Sequence, residues 1–146
     1  MKRLSDVKVR NKKAGYLFFL VDTFTAGIVL SGTEIKSIRT GKASINEAYC
    51  TFFNDELYVR NMHIAEYGFG NRFNHEPRQQ RKLLLTKREL KKLQTKVKEK
   101  GFTIIPVLLY INEKGLAKLE ISLARGKRLF DKRETLKEKD RRREVE

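Results

Sequence analysis

A hairpin pattern between residues 102 and 123 constrains the fold of this chain more than any other sequence feature. Residues 102–111 form an almost continuous apolar run, and residues 112–115 have the composition of a tight turn. The segment after the turn interleaves apolar with polar side chains, and its apolar positions are Leu116, Leu119, Ile121 and Leu123. This pattern predicts two paired strands. Pro106 has no amide hydrogen for the ladder, so we expect it at an edge or a bulge.

Strand and helix patterns also precede this hairpin. Residues 16–23 are rich in aromatic and β-branched side chains, which predicts a buried strand. Asp22 or Thr23 is suited to cap a helix, and Gly32 is suited to end one. We therefore expect a short helix over residues 24–30.

The next segment predicts further strands. Residues 34–39 precede a turn at Gly41, which favours a strand before a reversal. Residues 49–53 and 57–60 are apolar or aromatic segments separated by the three polar residues 54–56. They are predicted to form a second hairpin.

Residues 87–98 have the pattern of an amphipathic helix. Thr86 and Glu89 form a capping box before it, and Gly101 stands where the helix would end. Its apolar positions are Leu90, Leu93 and Val97, and most of its other positions are basic. Five or six short strands with an interposed helix predict a mainly β (α+β) fold, arranged as a small closed or half-closed barrel.

Basic charge is concentrated in three parts of the chain. The protein has 33 Lys and Arg against 18 Asp and Glu, a net charge of +15. Residues 1–16, 72–100 and 124–146 carry +5, +8 and +4, whereas 17–71 carries −2 and 101–123 is neutral. Segregated basic charge is typical of proteins that bind a polyphosphate, because each neutralised phosphate releases counterions. Nucleic acid is the expected partner, with an anionic membrane surface as the second candidate.

Other functional classes have little support. No run approaches the roughly 18 consecutive apolar residues of a membrane span, and no apolar signal segment follows Met1, so we expect a cytoplasmic protein. Cys50 is the single cysteine and lies in a predicted strand, which favours a packing role over a nucleophilic one. His63 and His75 lack a metal-binding spacing, and no phosphate-binding glycine motif occurs. We predict no catalytic site, no metal and no cofactor.

The aromatic and basic residues together favour RNA over duplex DNA. Tyr67, Phe69 and Phe73 lie in or beside a predicted surface loop over residues 68–77, close to basic residues. Such rings can stack on unpaired bases. No second helix resembles a DNA recognition helix, so we expect no DNA partner.

The predicted domain organisation has three parts. A basic N-terminal arm covers residues 1–15, and the barrel domain covers residues 16–123. In residues 124–146, 16 of 23 side chains are charged and too few are apolar for a core. This basic C-terminal tail is predicted to be disordered when free and to become helical on contact with a partner.

Six segments, in this order, resemble one known family. They are Asn11-Lys-Lys-Ala14, Ala26-Gly-Ile-Val-Leu30, Gly32-Thr-Glu-Ile-Lys-Ser-Ile-Arg39 with Gly41-Lys42, Arg81-Lys-Leu-Leu-Leu85, Ala124-Arg-Gly-Lys-Arg128 and Asp131-Lys-Arg-Glu134. Each segment alone is weakly specific, but the six segments in this order are highly specific for one family. The chain resembles SmpB, the tmRNA-binding (SsrA-binding) family of bacterial trans-translation.

The resemblance implies a fold and a function. The fold would be an oligonucleotide-binding-type β-barrel with two or three peripheral helices. The protein would bind the tRNA-like domain of tmRNA and stand in for the missing anticodon arm. Its tail would enter the empty mRNA path beside the small-subunit decoding centre of a stalled ribosome, so that the incomplete product is tagged for degradation. Elongation factor Tu would be an indirect partner, through alanyl-tmRNA.

The resemblance also implies site residues. Asn11 and Leu84 match family positions linked to tmRNA binding. The basic residues expected to contact RNA are Lys12, Lys13, Lys36, Arg39, Lys42, Arg81 and Lys82. The tail positions matching the family's tagging motifs are Gly126, Lys127, Arg128, Asp131, Lys132 and Arg133.

Two positions depart from the family pattern. Thr25 replaces the usual Glu before Ala26-Gly27, and Gly15-Tyr16-Leu17 replaces Arg-His-Asp/Glu, although Tyr16 can still stack on a base. The alternative function is that of a ribosome-associated RNA-binding barrel protein without specificity for tmRNA.

Overall fold

The structure, a computed structural model, describes residues 7–68, 74–99, 101–127 and 133. The strands are β1 (Lys8–Arg10), β2 (Phe18–Ile28), β3 (Ala43–Ser44), β4 (Tyr49–Phe53), β5 (Glu56–Arg60), β6 (His63–Ile64), β7 (Arg81–Leu84), β8 (Phe102–Ile111) and β9 (Ala117–Gly126). The helices are α1 (Ala14–Leu17), α2 (Gly32–Arg39) and α3 (Lys87–Val97). None of the helices in those residues has the length and apolar character needed to cross a bilayer.

The main sheet closes on itself. Its strands follow the order β1-β8-β4-β5-β7-β2-β9, and β9 also pairs with β8, so six strands from β8 to β9 form a ring. All pairings are antiparallel, and β3 and β6 form a separate two-stranded sheet. A closed ring leaves few unpaired strand edges. The prediction of a mainly β fold with peripheral helices is confirmed.

The hairpin expected between residues 102 and 123 is present as β8 and β9. These two strands and β2 are the longest in the ring. The strands β8 and β9 pair from Phe102 with Arg125 to Ile111 with Ala117, and Gly115 adopts a φ of 79° in the connecting turn. The register shifts between Pro106 and Leu108, which confirms the predicted bulge at the proline.

Two local predictions are wrong, and both errors concern the segment after residue 23. Phe24 to Ile28 are not helical but continue β2, because their backbones pair with β9 and β7. Residues 34–39 are not a strand but belong to α2, which begins after Ser31. The Ser31 hydroxyl accepts a bond from the Glu34 amide, and the Glu34 carboxylate accepts one from the Ser31 amide at 2.9 Å. This capping box satisfies the first amides of the helix.

The predicted hairpin over residues 49–60 is present, with a shorter turn than expected. Asn54 and Asp55 both have positive φ, at 49° and 62°, which matches a two-residue type I′ turn. Tyr49 therefore pairs directly with Arg60 and Phe53 with Glu56. A three-residue connection would have shifted this register by one residue.

The core fills the ring and extends under two helices. The inward residues of the strands are almost fully buried, among them Leu57, Val59, Leu83, Leu109, Leu119 and Ile121. Ile38 of α2 and Leu93 of α3 are buried in the same cluster. Burying each such side chain contributes about 1.5–3 kcal/mol. The two helices are thereby fixed against the outside of the sheet.

Ordered strands extend beyond both expected limits of the barrel domain. Val7 is buried in the core, and β1 lies in the predicted N-terminal arm. At the other end, β9 continues through Gly126, and Ala124 is fully buried. Most of the predicted tail, and residues 69–73 of the predicted surface loop, lie outside the described residues.

Candidate nucleic-acid interface

Helix α2 carries two of the predicted RNA-contact residues on one face. Lys36 and Arg39 are three residues apart, so their side chains are neighbours on the helix surface, and both are exposed. The Lys36 ammonium lies 5.6 Å from the centre of the Tyr67 ring. Gly41 then reverses the chain with a φ of 75°, and the exposed Lys42 follows it. The sequence from Lys36 to Lys42 thus presents three cations along one edge of the fold.

Arg39 and Leu84 line the same groove. The groove has a volume of about 360 Å³ and runs between β2, α2, β7 and the β8–β9 turn. The Leu84 side chain is 52% exposed, which is unusual for leucine in a paired strand. Gly27 faces it across the β2–β7 pair, and a Cβ at Gly27 would lie only 3.3 Å from the Leu84 Cβ. The glycine therefore lets the leucine lie close against β2.

Lys82 lies on the same outer face of β7 as Leu84. Residues two apart in a strand point to the same side and are about 7 Å apart. The Lys82 ammonium lies 3.6 Å from Glu56 on β5, and both side chains remain partly exposed. The outer face of β7 therefore carries a cation, Lys82, next to the leucine that lines the apolar groove.

Arg81 points the other way, and its burial contradicts the expected surface contact with RNA. It is only 3% exposed and forms a buried ion pair with Glu34 of α2. Its guanidinium also donates to the carbonyls of Met62 at 2.8 Å, Glu76 at 3.3 Å and Pro77 at 3.1 Å. Successive residues of a strand point to opposite faces, so Arg81 points into the protein and Lys82 points out. Arg81 holds α2 and the 74–77 segment against β7.

The Glu34 carboxylate is kept charged in this buried place. Burial by itself would raise the pKa of Glu34. The hydrogen bond from the Ser31 amide and the Arg81 guanidinium outweigh burial, so the pKa is lowered from its usual 4.5.

Asn11, Lys12 and Lys13 form a second group of predicted residues. The Asn11 amide group donates to the Pro106 carbonyl at 2.8 Å, and its carbonyl oxygen accepts from the Lys13 backbone amide. The Lys12 amide donates to the Asn46 side chain at 2.8 Å, and the Lys13 ammonium is paired with Glu47. Asn11 thus positions Lys13, and Asn46 positions Lys12; both lysine side chains are exposed.

The two groups are connected through β3. Lys42 precedes β3, and Asn46, which holds Lys12, is four residues later. Four residues span at most about 15 Å, so Lys42 and the residue that holds the Lys12 backbone lie no farther apart than that. Of the predicted RNA-contact residues, Arg39 and Leu84 share one groove, and Arg81 is buried.

The first tail residues are anchored beside α1. Gly126 pairs with Phe18 at the end of β9. The Lys127 amide donates to the Leu17 carbonyl at 2.9 Å, and the Lys127 ammonium donates to the Gly15 carbonyl at 2.8 Å. Arg133 is exposed, whereas Arg128, Asp131 and Lys132 lie outside the described residues.

One departure from the family pattern has a local explanation. Thr25 pairs directly with Glu120 of β9. A glutamate at position 25 would face this carboxylate across the strands, and like charges in that arrangement destabilise a sheet. The Gly15-Tyr16-Leu17 departure has no structural explanation, since Gly15 and Leu17 bind Lys127 through backbone carbonyls that any residue supplies.

The remaining titratable residues considered in the sequence have structural roles. Cys50 is buried in β4, and burial raises the pKa of its thiol. His75 is buried, hydrogen-bonded to the Thr33 hydroxyl at 2.8 Å and to the Ile64 carbonyl at 2.9 Å. Across the described part of the chain, no group of three or more His, Cys, Asp or Glu side chains has an arrangement suited to a metal ion.

Some surface residues near these groups were not predicted from the sequence. Leu116 and Lys118 line the groove with Arg39, and the Arg125 guanidinium lies 5.6 Å from the centre of the Phe19 ring. The position of Leu116 at one end of the ring could have been predicted from the hairpin pattern, because Leu116 directly follows the turn at Gly115. The approach of that end to α2 depends on the pairing of β2 with β9, which the predicted helix over residues 24–30 had excluded.

Comparisons with known proteins agree with this arrangement. A family model described as SmpB protein matches residues 8–146. An SsrA-binding protein from Phocaeicola vulgatus is 59% identical over 140 residues, covering 96% of this chain and 93% of that protein. One from Allorhizobium ampelinum is 49% identical over 139 residues, covering 95% and 88%.

A solved structure supports the same assignment at the level of the fold. It is named "tmRNA-SmpB: a journey to the center of the bacterial ribosome" and is 42% identical to this chain, with a TM-score of 0.72. The match covers 89% of this chain and 94% of the other. The sequence segments, the ring of strands and these similarities agree, and the chain belongs to the SmpB protein family.

Proposed function

We propose that this protein is a tmRNA-binding adaptor that rescues stalled ribosomes by trans-translation in the cytoplasm. The relatives that match nearly the whole chain are named SsrA-binding proteins, and the similar solved structure joins tmRNA-SmpB with the bacterial ribosome. One observation carries the proposal: an apolar groove that contains the exposed Leu84 is lined by the cations Arg39 and Lys118, and the exposed Lys36 lies one helical turn from Arg39 on α2. Such a surface grips structured RNA through phosphates and apolar contacts.

The contact residues divide into two roles in this proposal. Lys36, Arg39, Lys42 and Lys82 would neutralise phosphates, while Leu84 would pack against a sugar or a base in the groove. Asn11 would hold the N-terminal segment so that Lys12 and Lys13 extend the same cationic surface. This division is supported by the hydrogen bonds of Asn11 to backbone groups.

The tail would supply a separate ribosomal function. It follows the Lys127 anchor in the chain, and its many charged side chains would suit a segment that folds on contact with ribosomal RNA. There it would occupy the empty mRNA path, as the protein stands in for the anticodon arm of a tRNA. Delivery by elongation factor Tu would follow from the alanyl group on tmRNA. The protein would act by binding and not by catalysis.

A binding competition tests tmRNA specificity. The tRNA-like domain of tmRNA and an ordinary tRNA compete for the full-length protein at fixed salt. We expect the tRNA-like domain to displace tRNA at a much lower concentration than tRNA needs to displace the domain, since the groove and its cations would fit the shape of one structured RNA. Equal competition by both RNAs would favour the alternative, a ribosome-associated RNA-binding protein without tmRNA specificity.

A further inference from the structure

A second polar cavity lies on the outer face of the hairpin β4–β5, at the end opposite its turn. Its volume is about 390 Å³, and it is lined by Tyr49, Arg60, Asn61, Arg78 and Gln80. Ligand pockets typically begin near about 300 Å³. The cavity is thus large enough for part of a nucleotide.

The two arginines of this cavity are held in place by neutral groups. Arg60 donates to the Gln80 side-chain oxygen at 3.2 Å, and Arg78 donates to the Asn61 side-chain oxygen at 3.0 Å. Asn61 is itself fixed, because its amide group donates to the Glu47 carbonyl at 3.1 Å. Amide partners orient a guanidinium without neutralising its charge.

Carboxylates do not cancel this charge. Among the described residues, no Asp or Glu oxygen lies within ion-pair distance of Arg60 or Arg78. Glu47 is the nearby acid, and its main partner is the Lys13 ammonium, which lowers the pKa of Glu47 with a smaller contribution from Arg78. Two guanidinium charges therefore remain available for an anion.

Tyr49 adds an aromatic surface to the same cavity. It is directly opposite Arg60 in the β4–β5 pair, so the two side chains share one face of the sheet, and the tyrosine is 43% exposed. A ring that shares a cavity with two guanidinium groups can stack on a base while those groups bind the adjoining phosphate.

The cavity also continues the surface already assigned to RNA. Gln80, Lys82 and Leu84 alternate along one strand direction, so the cavity lies about 13 Å from Leu84 on the same outer face. Lys13 adjoins it through Glu47. A single RNA that contacts Leu84 can reach Arg60 with two or three nucleotides.

We propose that Tyr49, Arg60 and Arg78 form a nucleotide-binding site for tmRNA, in which the tyrosine stacks on a base and the two arginines bind its phosphate. This proposal rests on the proposed function and extends its RNA surface beyond the groove at Leu84. The site binds the same RNA because its face is continuous with that of Lys82.

Affinity measurements with the full-length protein test the site. Arg60→Gln and Arg78→Gln should each weaken binding of tmRNA's tRNA-like domain about tenfold and reduce the salt dependence by about one phosphate contact. Tyr49→Leu should weaken binding about tenfold, whereas Tyr49→Phe should retain affinity because stacking needs only the ring. All three side chains are exposed or partly exposed, and thermal unfolding verifies that the variants fold.

The matched control removes one charge from another part of the molecule. Lys91→Gln lies on α3, which contacts the turn end of the same hairpin through a Gln94–Asp55 hydrogen bond of 2.9 Å. We expect this variant to bind tmRNA within about twofold of the original protein.

Nucleotide-resolution footprinting separates a site from a general charge effect. Arg60→Gln, Arg78→Gln and Tyr49→Leu should lose protection of the same few tmRNA nucleotides. Unchanged affinity and footprint in these variants, with binding still impaired by Leu84→Ala, would overturn the site and leave the proposed function standing. Loss of binding only to ribosomes would also overturn it, since the site would then serve ribosomal RNA. If the original protein itself shows no preference for tmRNA over tRNA, the proposed function fails.

Discussion

The Glu34–Arg81 pair determines which face of β7 meets solvent. Arg81 donates to three backbone carbonyls as well as to Glu34, so every part of its guanidinium is bound within the protein. A buried ion pair of this kind adds little net stability, but loss of one partner leaves an uncompensated charge. The pair therefore fixes α2 against the sheet, so Lys36 and Arg39 are positioned by an ion pair that is itself buried.

Replacing Arg81 should change how stability depends on pH. In the original protein, the lowered pKa of Glu34 means that its contribution to stability is present above about pH 4.5 and is lost as pH falls through the folded-state pKa. In Arg81→Gln, burial of Glu34 would dominate and raise its pKa. The variant should lose about 3–5 kcal/mol of unfolding free energy at pH 7. This deficit should begin to shrink as pH falls through the raised folded-state pKa of Glu34 in the variant, which lies above 4.5, and should continue to shrink until the original protein also binds the proton.

Urea unfolding between pH 3 and pH 8 measures this difference. Glu34→Gln is the first control, because it removes the titrating group and should flatten the acid limb of the stability curve. Glu113→Gln, at an exposed position in the β8–β9 turn, is the second and should behave like the original protein. A constant difference between the Arg81→Gln and original proteins at every pH would contradict this account of the pair.

At the scale of elements, the sequence predicted those whose partners are close in the chain. The hairpins and α3 follow from turn residues, alternation and the Thr86–Glu89 capping box, all within a few residues. Ser31 and Glu34 form the same kind of box at α2, but the helix was expected to begin eight residues earlier, at residue 24. The cause is β2, whose second half is a strand only because it pairs with β9, nearly a hundred residues away in the chain.

For the candidate site too, the sequence predicted what depends on neighbouring residues and missed what depends on strand pairing. The surface cations Lys36 and Arg39 of α2 were identified from their segment, although the helix itself was not. Arg81 and Lys82 are adjacent in sequence, and only the direction of β7 decides that one is buried and the other exposed. Tyr49 and Arg60 were missed because their juxtaposition requires a two-residue turn at Asn54 and Asp55.

The end of β9 sets where the tail can be removed without harm to the fold. Ala124 is fully buried, and residues 124–126 pair with the start of β2. Truncation after Lys127 should therefore keep the melting temperature and tmRNA affinity near those of the full chain while abolishing tagging. Truncation after Leu123 should lower the melting temperature, because it removes paired backbone and a buried side chain.

Thermal unfolding, tmRNA binding and a tagging assay on stalled ribosomes compare the two truncations. Lys127→Gln in the full chain is a useful control, since it weakens the anchor to Gly15 and retains the tail. Equal loss of tmRNA affinity and tagging in the chain ending at Lys127 would refute the separation of the two functions.

Across the whole molecule, the cations predicted to contact RNA differ in whether a carboxylate pairs with them. Lys12, Lys36, Arg39 and Lys42 are exposed along α2 and the N-terminal segment, while Lys13 and Lys82 are partly neutralised by Glu47 and Glu56. Binding through such cations releases counterions from RNA. The logarithm of tmRNA affinity should thus fall linearly with the logarithm of salt concentration, with a slope between about −3 and −5.

Single variants show which residues contribute to this salt dependence. Arg39→Gln should reduce its magnitude by about 0.7–0.9, the value for one phosphate, because Arg39 is exposed beside the groove. Leu84→Ala should weaken binding at every salt concentration without changing the slope, since it removes an apolar contact and no charge. Titrations at several salt concentrations distinguish these outcomes. A flat salt response in the original protein, or the same slope change in both variants, would show that phosphate neutralisation by this surface does not drive tmRNA binding.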